Sequence, residues 1–141
     1  MIVGTEPYRV PQRPIHVVSV MSPGMPSPAR PGSGERVLLH HVVALVVPPQ
    51  SPFELAGVAQ VFGVENPGLP ARYRFEVCAE TPGAVPVMAG CPLLVERGLE
   101  ATAEADTVIV AGWPDLAARP SDGLVSALRA AHARGARVVG L

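Results

Sequence analysis

Lysine is absent from this sequence of 141 residues, so all eleven basic side chains are arginines, and they are scattered rather than clustered. Proteins that bind nucleic acid neutralise phosphates with clustered basic residues, often with aromatic residues interleaved. Aromatic residues make up only 4% of this sequence, and its formal net charge is −1. A nucleic-acid-binding surface of the usual basic kind is therefore missing from this chain.

Cysteine is also scarce, with Cys78 and Cys91 as its two occurrences. Two thiols without a C-x-x-C spacing indicate neither a disulfide framework nor a thiolate metal site. The pair His40-His41 offers two metal ligands at most, and the sequence suggests no third. We therefore expect no metal and no cofactor.

Long apolar runs are missing as well. No stretch approaches the about 20 residues that a helix needs to cross a bilayer. The N-terminus does not show a basic head followed by an apolar run, so it does not read as a signal peptide. We expect a cytoplasmic protein without a membrane partner.

Residues 1–36 differ in composition from the rest of the chain. They contain seven prolines, four glycines and four serines. Such a segment buries too little apolar surface to order itself, so we predict a disordered tail, in which residues 15–20 alone could pair as a strand. An alternative is that translation starts later, at Met21 or Met25.

From residue 40 onward the pattern predicts one α/β domain. The run at 42–47 is apolar without alternation, which is typical of a parallel strand buried on both faces. The remaining predicted elements are a helix from Pro52 to Gly63, a strand at 73–78, a hairpin of 85–88 with 92–95, a short helix at 99–105, a strand at 107–110, a helix from Ser121 to Gly135 and a strand at 136–141. Strands that alternate with helices imply crossover connections and a three-layer α/β fold.

In such folds, ligands bind at the carboxyl ends of the strands. Two ends can be named in this chain: Pro49-Gln50-Ser51 leading to Glu54, and Gly112-Trp113-Pro114-Asp115. The candidate pocket is formed by Ser51, Glu54, Gly112 and Trp113. Gly112 could bring a backbone N–H to an oxyanion, and Glu54 could share a proton with a nucleophile. The nucleophile itself would be expected on a third strand end, after Leu141.

Plainer interpretations of these residues stay open. Glu54 at the third helical position fits a capping box with Ser51. Gly112 could simply end a strand, and Trp113 could be an ordinary loop aromatic that is partly buried.

Three segments carry a family resemblance: the run at 42–47 with SPFELAGVAQVFGV, then YRFEVCAETPGAVPVMAGCPLLVERGLEATAEADTVIVAGWPD, then LVSALRAAHARGARVVGL. In this order they resemble the ThiJ/PfpI-like domain, a relative of the class I glutamine amidotransferases. More specifically, they resemble the branch that is fused to an AraC-type helix-turn-helix domain in bacterial transcriptional regulators. The similarity runs from residue 40 to residue 141.

The resemblance implies a flavodoxin-like sandwich with a mostly parallel sheet and a small edge hairpin. In that family the strand that matches 137–141 leads into the nucleophile elbow, usually a cysteine. The family's acidic partner aligns with Glu54, and its glycine after a strand aligns with Gly112. We therefore expect residues 40–141 to be the N-terminal part of the domain, incomplete at the C-terminus.

The leading functional hypothesis is the ligand-sensing or regulatory part of an AraC-type regulator. It would bind a small-molecule effector or a partner subunit, and reach DNA only through a domain outside this chain. We expect no catalysis by this chain, because the resemblance places the family's nucleophile after Leu141, and neither Cys78 nor Cys91 lies at that position. The alternatives are a small ThiJ/PfpI-family enzyme of glyoxalase, amidase or peptidase type truncated before its cysteine, and an inactive gene remnant. An uncovered final strand would favour a homo-oligomer or a poorly soluble chain.

Overall fold

A computed structural model describes residues 38–65 and 67–141. The predicted tail over residues 1–36 lies outside the described residues. The elements are, in chain order, β1 (His40–Val46), α1 (Pro52–Phe62), β2 (Tyr73–Ala79), β3 (Gly83–Pro86), β4 (Pro92–Val95), a 3-10 helix (Leu99–Ala103), β5 (Thr107–Val110), α2 (Asp122–Ala133) and β6 (Arg137–Gly140). The prediction of an α/β chain with strands and helices in alternation is confirmed.

Four of these strands form one parallel sheet in the order β2-β1-β5-β6. Strand β1 therefore lies inside the sheet, hydrogen-bonded to β2 on one side and to β5 on the other. Residues 41–46 are all buried. This is the physical reason for the uninterrupted apolar run, since a strand with neighbours on both edges and helices on both faces has no polar side to present.

Successive side chains of the sheet point to opposite faces, and a different helix covers each face. On one face, Val42 and Ala44 of β1 pack with Val58 of α1. On the other face, Val43 and Leu45 pack with α2 and with the 3-10 helix. The sheet thus separates these two clusters of the core, and a third cluster, of Val46, Ala79, Val85 and Val95, joins the ends of β1 and β2 to the hairpin.

The predicted hairpin exists but forms a separate two-stranded antiparallel sheet of β3 and β4. Its first strand begins and ends two residues earlier than predicted. Val87 forms a parallel bridge with Gln50, and the N–H of Met88 donates to the carbonyl oxygen of Gln50. Residues 87 and 88 therefore pair with the end of the β1 segment rather than with β4.

Both ends of α2 are held by identifiable hydrogen bonds. The hydroxyl of Ser121 accepts a hydrogen bond from the backbone N–H of Leu124 at 3.1 Å, as a helix N-cap should. Beyond the last turn, Gly135 has a φ of +103°, which few other residues adopt. The guanidinium of Arg134 donates to the carbonyl oxygens of Thr102, Ala103 and Ala105 and ties the helix end to the 3-10 helix.

Two leucines test the contribution of the sheet's interior. Leu45 of β1 is fully buried, whereas Leu116 is 94% exposed. We expect Leu45→Ala to lower the free energy of unfolding by about 2–5 kcal/mol, and Leu116→Ala to change it by less than about 0.5 kcal/mol. Urea denaturation followed by circular dichroism measures both. Equal effects of the two substitutions would contradict the described core.

Candidate functional site

The carboxyl ends of β1 and β5 meet at a single buried side chain, Gln50. It is 1% exposed, although it lies in the connection between β1 and α1. Its Oε1 accepts from the N–H of Val47 at 3.1 Å, and its Nε2 donates to the carbonyl oxygens of Ser51, at 2.8 Å, and Ala111. Both amide protons are thus used, so burial of this polar group is compensated by hydrogen bonds.

The backbone of Gln50 is bonded as well. Its N–H donates to the carbonyl oxygen of Pro86 at 2.8 Å, and its own carbonyl oxygen accepts from Met88 at 3.0 Å. One residue therefore joins the ends of β1 and β5, the start of α1 and the hairpin. Sequence reasoning noted Gln50 as part of a strand end but did not select it. The sequence signal that could have identified Gln50 is its position, since it is a polar residue that directly follows a buried strand and two prolines.

Ser51 and Glu54 lie together at the start of α1, but they do not form a capping box. No backbone N–H of the helix donates to the Ser51 side chain. Instead, the Ser51 hydroxyl donates to Oε2 of Glu54. This hydrogen bond, followed by one from the backbone N–H of Glu54 itself, holds the pKa of the Glu54 carboxyl below its ordinary value. The site therefore presents a partly exposed carboxylate that stays ionised at neutral pH.

Gly112 faces that carboxylate from the end of β5. Its φ is +93°, and a Cβ placed on it would lie 3.6 Å from Cδ of Glu54. The side chain of Glu54 thus lies close to the glycine, at a distance that would put it in ordinary van der Waals contact with a Cβ at this position. The N–H of Gly112 donates to the carbonyl oxygen of Val110 at 2.9 Å, so in this structure it is engaged within the chain rather than presented to a ligand.

Trp113, the fourth residue of the candidate pocket, lies on the opposite face of the sheet. Its ring packs against the core layer that contains Leu124 and Leu128 of α2. Its Nε1 donates to the carbonyl oxygen of Ala118 at 3.3 Å. The structure thus brings Ser51, Glu54 and Gly112 together and places Trp113 apart from them.

An apolar groove of about 920 Å³, here called the α1 groove, extends from Glu54 along the sheet beneath α1. Its walls come from α1 and from the neighbouring strands, and they include Phe53, Val58, Val61, Ile109, Val139 and Leu141. Phe53 is 85% exposed and Val61 63% exposed. Because the strands are parallel, Glu54 lies at the carboxyl end of the groove, while Arg72 and Arg137 lie at its amino end.

Apart from the residues around Gln50 and Glu54, a cluster of polar side chains lies at the amino end of the sheet, on the face that α2 covers. There His41 is buried, and Nη2 of Arg74 lies 2.9 Å from its Nδ1. Glu76 lies between Arg74, at 3.3 Å, and Arg97, at 3.8 Å. Arg74 also lies 3.6 Å from Glu104, and Arg97 lies 3.4 Å from Glu100, so these ion pairs fasten β1 and β2 to the segment that leads into the 3-10 helix.

The two cysteines differ sharply in environment. Burial, followed by the carboxylates of Glu100 and Glu76, raises the pKa of the Cys78 thiol to about 12. Cys91 is exposed in the turn of the hairpin. Across residues 38–65 and 67–141, no three His, Cys, Asp or Glu side chains are grouped to hold a metal ion. No helix of that same part of the chain is long and apolar enough to span a membrane.

Comparisons of the chain with protein-family models, with curated proteins and with solved structures found no match. Its resemblance to the ThiJ/PfpI-like domain therefore stays a prediction. The functional argument depends on the residues and geometry of the site itself.

The hydrogen bond between Ser51 and Glu54 can be tested by titration. We expect Ser51→Ala to raise the pKa of Glu54 towards its ordinary value of 4.5, because the largest cause of its depression is removed. Glu100 is the control, since its pKa is lowered mainly by the backbone N–H of Gly98. Carboxyl-detected NMR titration measures both groups in one sample.

The sign of the pH dependence follows from the lowered pKa. Ionised Glu54 stabilises the fold above the pKa of the unfolded chain, and this contribution is lost as the pH falls through the lower, folded value. In Ser51→Ala the folded and unfolded pKa values of Glu54 should lie closer together. The pH range over which protonation of Glu54 changes the free energy of unfolding should therefore become narrower. An unchanged Glu54 pKa in this variant would show that the contact is not formed in solution.

Gln50 can be tested with an isosteric change. Gln50→Glu replaces the donating amide by an oxygen that faces the carbonyl oxygens of Ser51 and Ala111 in a buried position. We expect the free energy of unfolding at neutral pH to fall by at least about 3 kcal/mol. Gln60→Glu on the exposed side of α1 is the matched control, with an expected change below about 0.5 kcal/mol. Similar urea midpoints for the two variants would refute the assigned hydrogen bonds.

Proposed function

We propose that this chain is the ligand-sensing part of an AraC-type transcriptional regulator, built on a flavodoxin-like domain of ThiJ/PfpI type. Two observations support the proposal at the level of fold. The parallel sheet with a helix on each face is compatible with a flavodoxin-like architecture, and the additional small hairpin matches the resemblance. The second observation is the order in which the segments that resemble the family follow one another along residues 40–141.

The observation that carries the proposal is the closeness of the Glu54 carboxylate to Gly112 beside the α1 groove. It lies where parallel α/β sheets bind ligands, at the carboxyl ends of neighbouring strands. An ionised carboxylate next to an apolar groove suits a small molecule with an apolar body and a group that donates hydrogen bonds, such as an ammonium, guanidinium or amide. We infer an effector of this chemical class.

The local chemistry favours binding over catalysis. The N–H of Gly112 is donated to Val110, so it does not offer an oxyanion donor. The raised pKa of Cys78 keeps its thiol neutral and therefore a poor nucleophile. The alternative of a ThiJ/PfpI-type enzyme is supported by one feature, the close approach of Glu54 to Gly112, the two positions that the family uses.

Regulation of transcription would require DNA contacts from another domain. In the described part of the chain, α1 and α2 are separated by four strands, so no helix-turn-helix unit forms there. We therefore propose that this domain binds its effector in the cytoplasm and passes the bound state to DNA-binding helices in the assembled regulator.

The proposal is tested by ligand-observed NMR with a panel of small amines, guanidines, amides and carboxylates that carry aliphatic or aromatic groups. We expect binders among the hydrogen-bond donors, and we expect Glu54→Gln to weaken them at least about tenfold by removing the charge. Glu100→Gln is the matched control, since Glu100 is another exposed carboxylate with a lowered pKa.

Binders that are insensitive to Glu54→Gln would contradict the assigned site. Turnover of a 2-oxoaldehyde, an amide or a dipeptide that is lost in Glu54→Gln would favour the enzyme alternative instead.

A further inference from the structure

The outer side of β6 has no neighbouring strand among the residues that the structure describes. The N–H groups of Arg137 and Leu141 donate to the carbonyl oxygens of Asp106 and Val110, at 2.9 and 3.2 Å. Backbone groups of successive strand residues point alternately to the two sides, so those of Val138 and Gly140 point away from β5. Natural edge strands are usually protected by lysine, proline or a bulge, and residues 138–140 have none of these.

Apolar side chains of β6 are also partly exposed on both faces of the sheet. On one face lies the α1 groove. On the other face, a second apolar groove of about 340 Å³ lies between α2 and the end of β5, and its lining includes Val110, Trp113, Leu124, Val125 and Leu128 but no residue of β6. Val138 is 40% exposed and Val139 39% exposed, one towards each face. An occupant of the β6 edge would therefore also cover apolar surface above and below it.

The charges along the α1 groove indicate which occupant fits. Arg72 and Arg137 lie at the amino end of the groove and Glu54 lies at the carboxyl end. A second copy that ran parallel to β6 would place arginines against arginines. A second copy that ran antiparallel would place the basic end of each groove against the acidic end of the other, which is the complementary arrangement.

We propose that a second copy of this chain adds to the sheet at β6, antiparallel and related by a two-fold axis, with Arg137 of each copy next to Glu54 of the other. Residues opposite each other across antiparallel strands share a face. The groove-facing residues Arg137, Val139 and Leu141 must therefore oppose groove-facing residues. With the axis at Val139, Arg137 opposes Leu141, and Val138 exchanges both backbone hydrogen bonds with Gly140.

This register brings the two charges within reach. The N–H of Leu141 donates to the carbonyl oxygen of Val110, so Leu141 lies beside the residues that follow β5, among them Gly112, which lies close to Glu54. Strands are spaced about 4.8 Å apart, so Arg137 of the second copy starts about 10 Å from the end of β5. A long, flexible arginine side chain covers most of that distance, and Glu54 is partly exposed to receive it. A carboxylate has acceptor sites for several donors, so pairing of Glu54 with Arg137 is compatible with binding of the proposed effector, and the dimer does not depend on that effector.

Sedimentation velocity of the full chain from low to high micromolar concentration tests the proposal. We expect a reversible monomer–dimer equilibrium. Arg137→Glu and Glu54→Arg should each weaken the dimer at least about tenfold, because like charges then face each other, and the double variant should restore it. Restoration separates charge pairing from damage to the fold, since two unrelated defects do not cancel.

A further variant tests the strand pairing without the charges. Val138→Pro removes an N–H that points away from β5, so it should abolish the dimer while circular dichroism and the melting profile stay close to the parent. A chain that remains monomeric throughout, open-ended association, a double variant as weak as either single one, or a dimer unaffected by Val138→Pro would each overturn the proposal. A monomer whose Val138 and Gly140 amides are nevertheless protected from hydrogen exchange would reveal an occupant from within the same chain and would overturn it as well.

Discussion

The buried amide of Gln50 is the interaction on which the geometry of the site depends. It fixes the carbonyl oxygens of Ser51 and Ala111 relative to the end of β1. The hydrogen bond to the carbonyl oxygen of Ser51 sets where α1 starts, and so where Glu54 lies. The hydrogen bond to the carbonyl oxygen of Ala111 sets the path of the chain into Gly112. Because every polar atom of the side chain is paired, the group is stable in the interior, and loss of one partner would leave the others without compensation.

The centre of the fold was predictable because it follows from local patterns. The apolar run at 42–47 indicated a strand buried on both faces, and β1 lies there with neighbours on both sides. The spacing of Ser51 and Glu54 predicted that they interact. It could not predict which atoms meet, because a hydroxyl can accept from a backbone N–H or donate to a carboxylate with equal local ease.

Other features depended on contacts between distant segments and were beyond reach of pattern analysis. The bounds of β3 depend on Gln50, which takes residues 87 and 88 into its own pairing. The side of the sheet on which Trp113 lies depends on the backbone conformation of Gly112, with its positive φ. The importance of Gln50 itself depends on Ala111, 61 positions further along the chain, and no local spacing encodes that partner.

The strand order has a consequence for how the protein is made. Among the strands that the structure describes, β1 emerges first from the ribosome, yet its partner residues in β5 lie about 65 positions later, as for Val42 and Thr107. At a translation rate of about 5–20 residues per second, one edge of this apolar strand stays without its partner strand for roughly 3–13 s. Nascent chains on neighbouring ribosomes of one messenger RNA expose the same apolar segment during that interval. Binding by a chaperone early in translation is therefore more important for this protein than for one whose central strand is synthesised last.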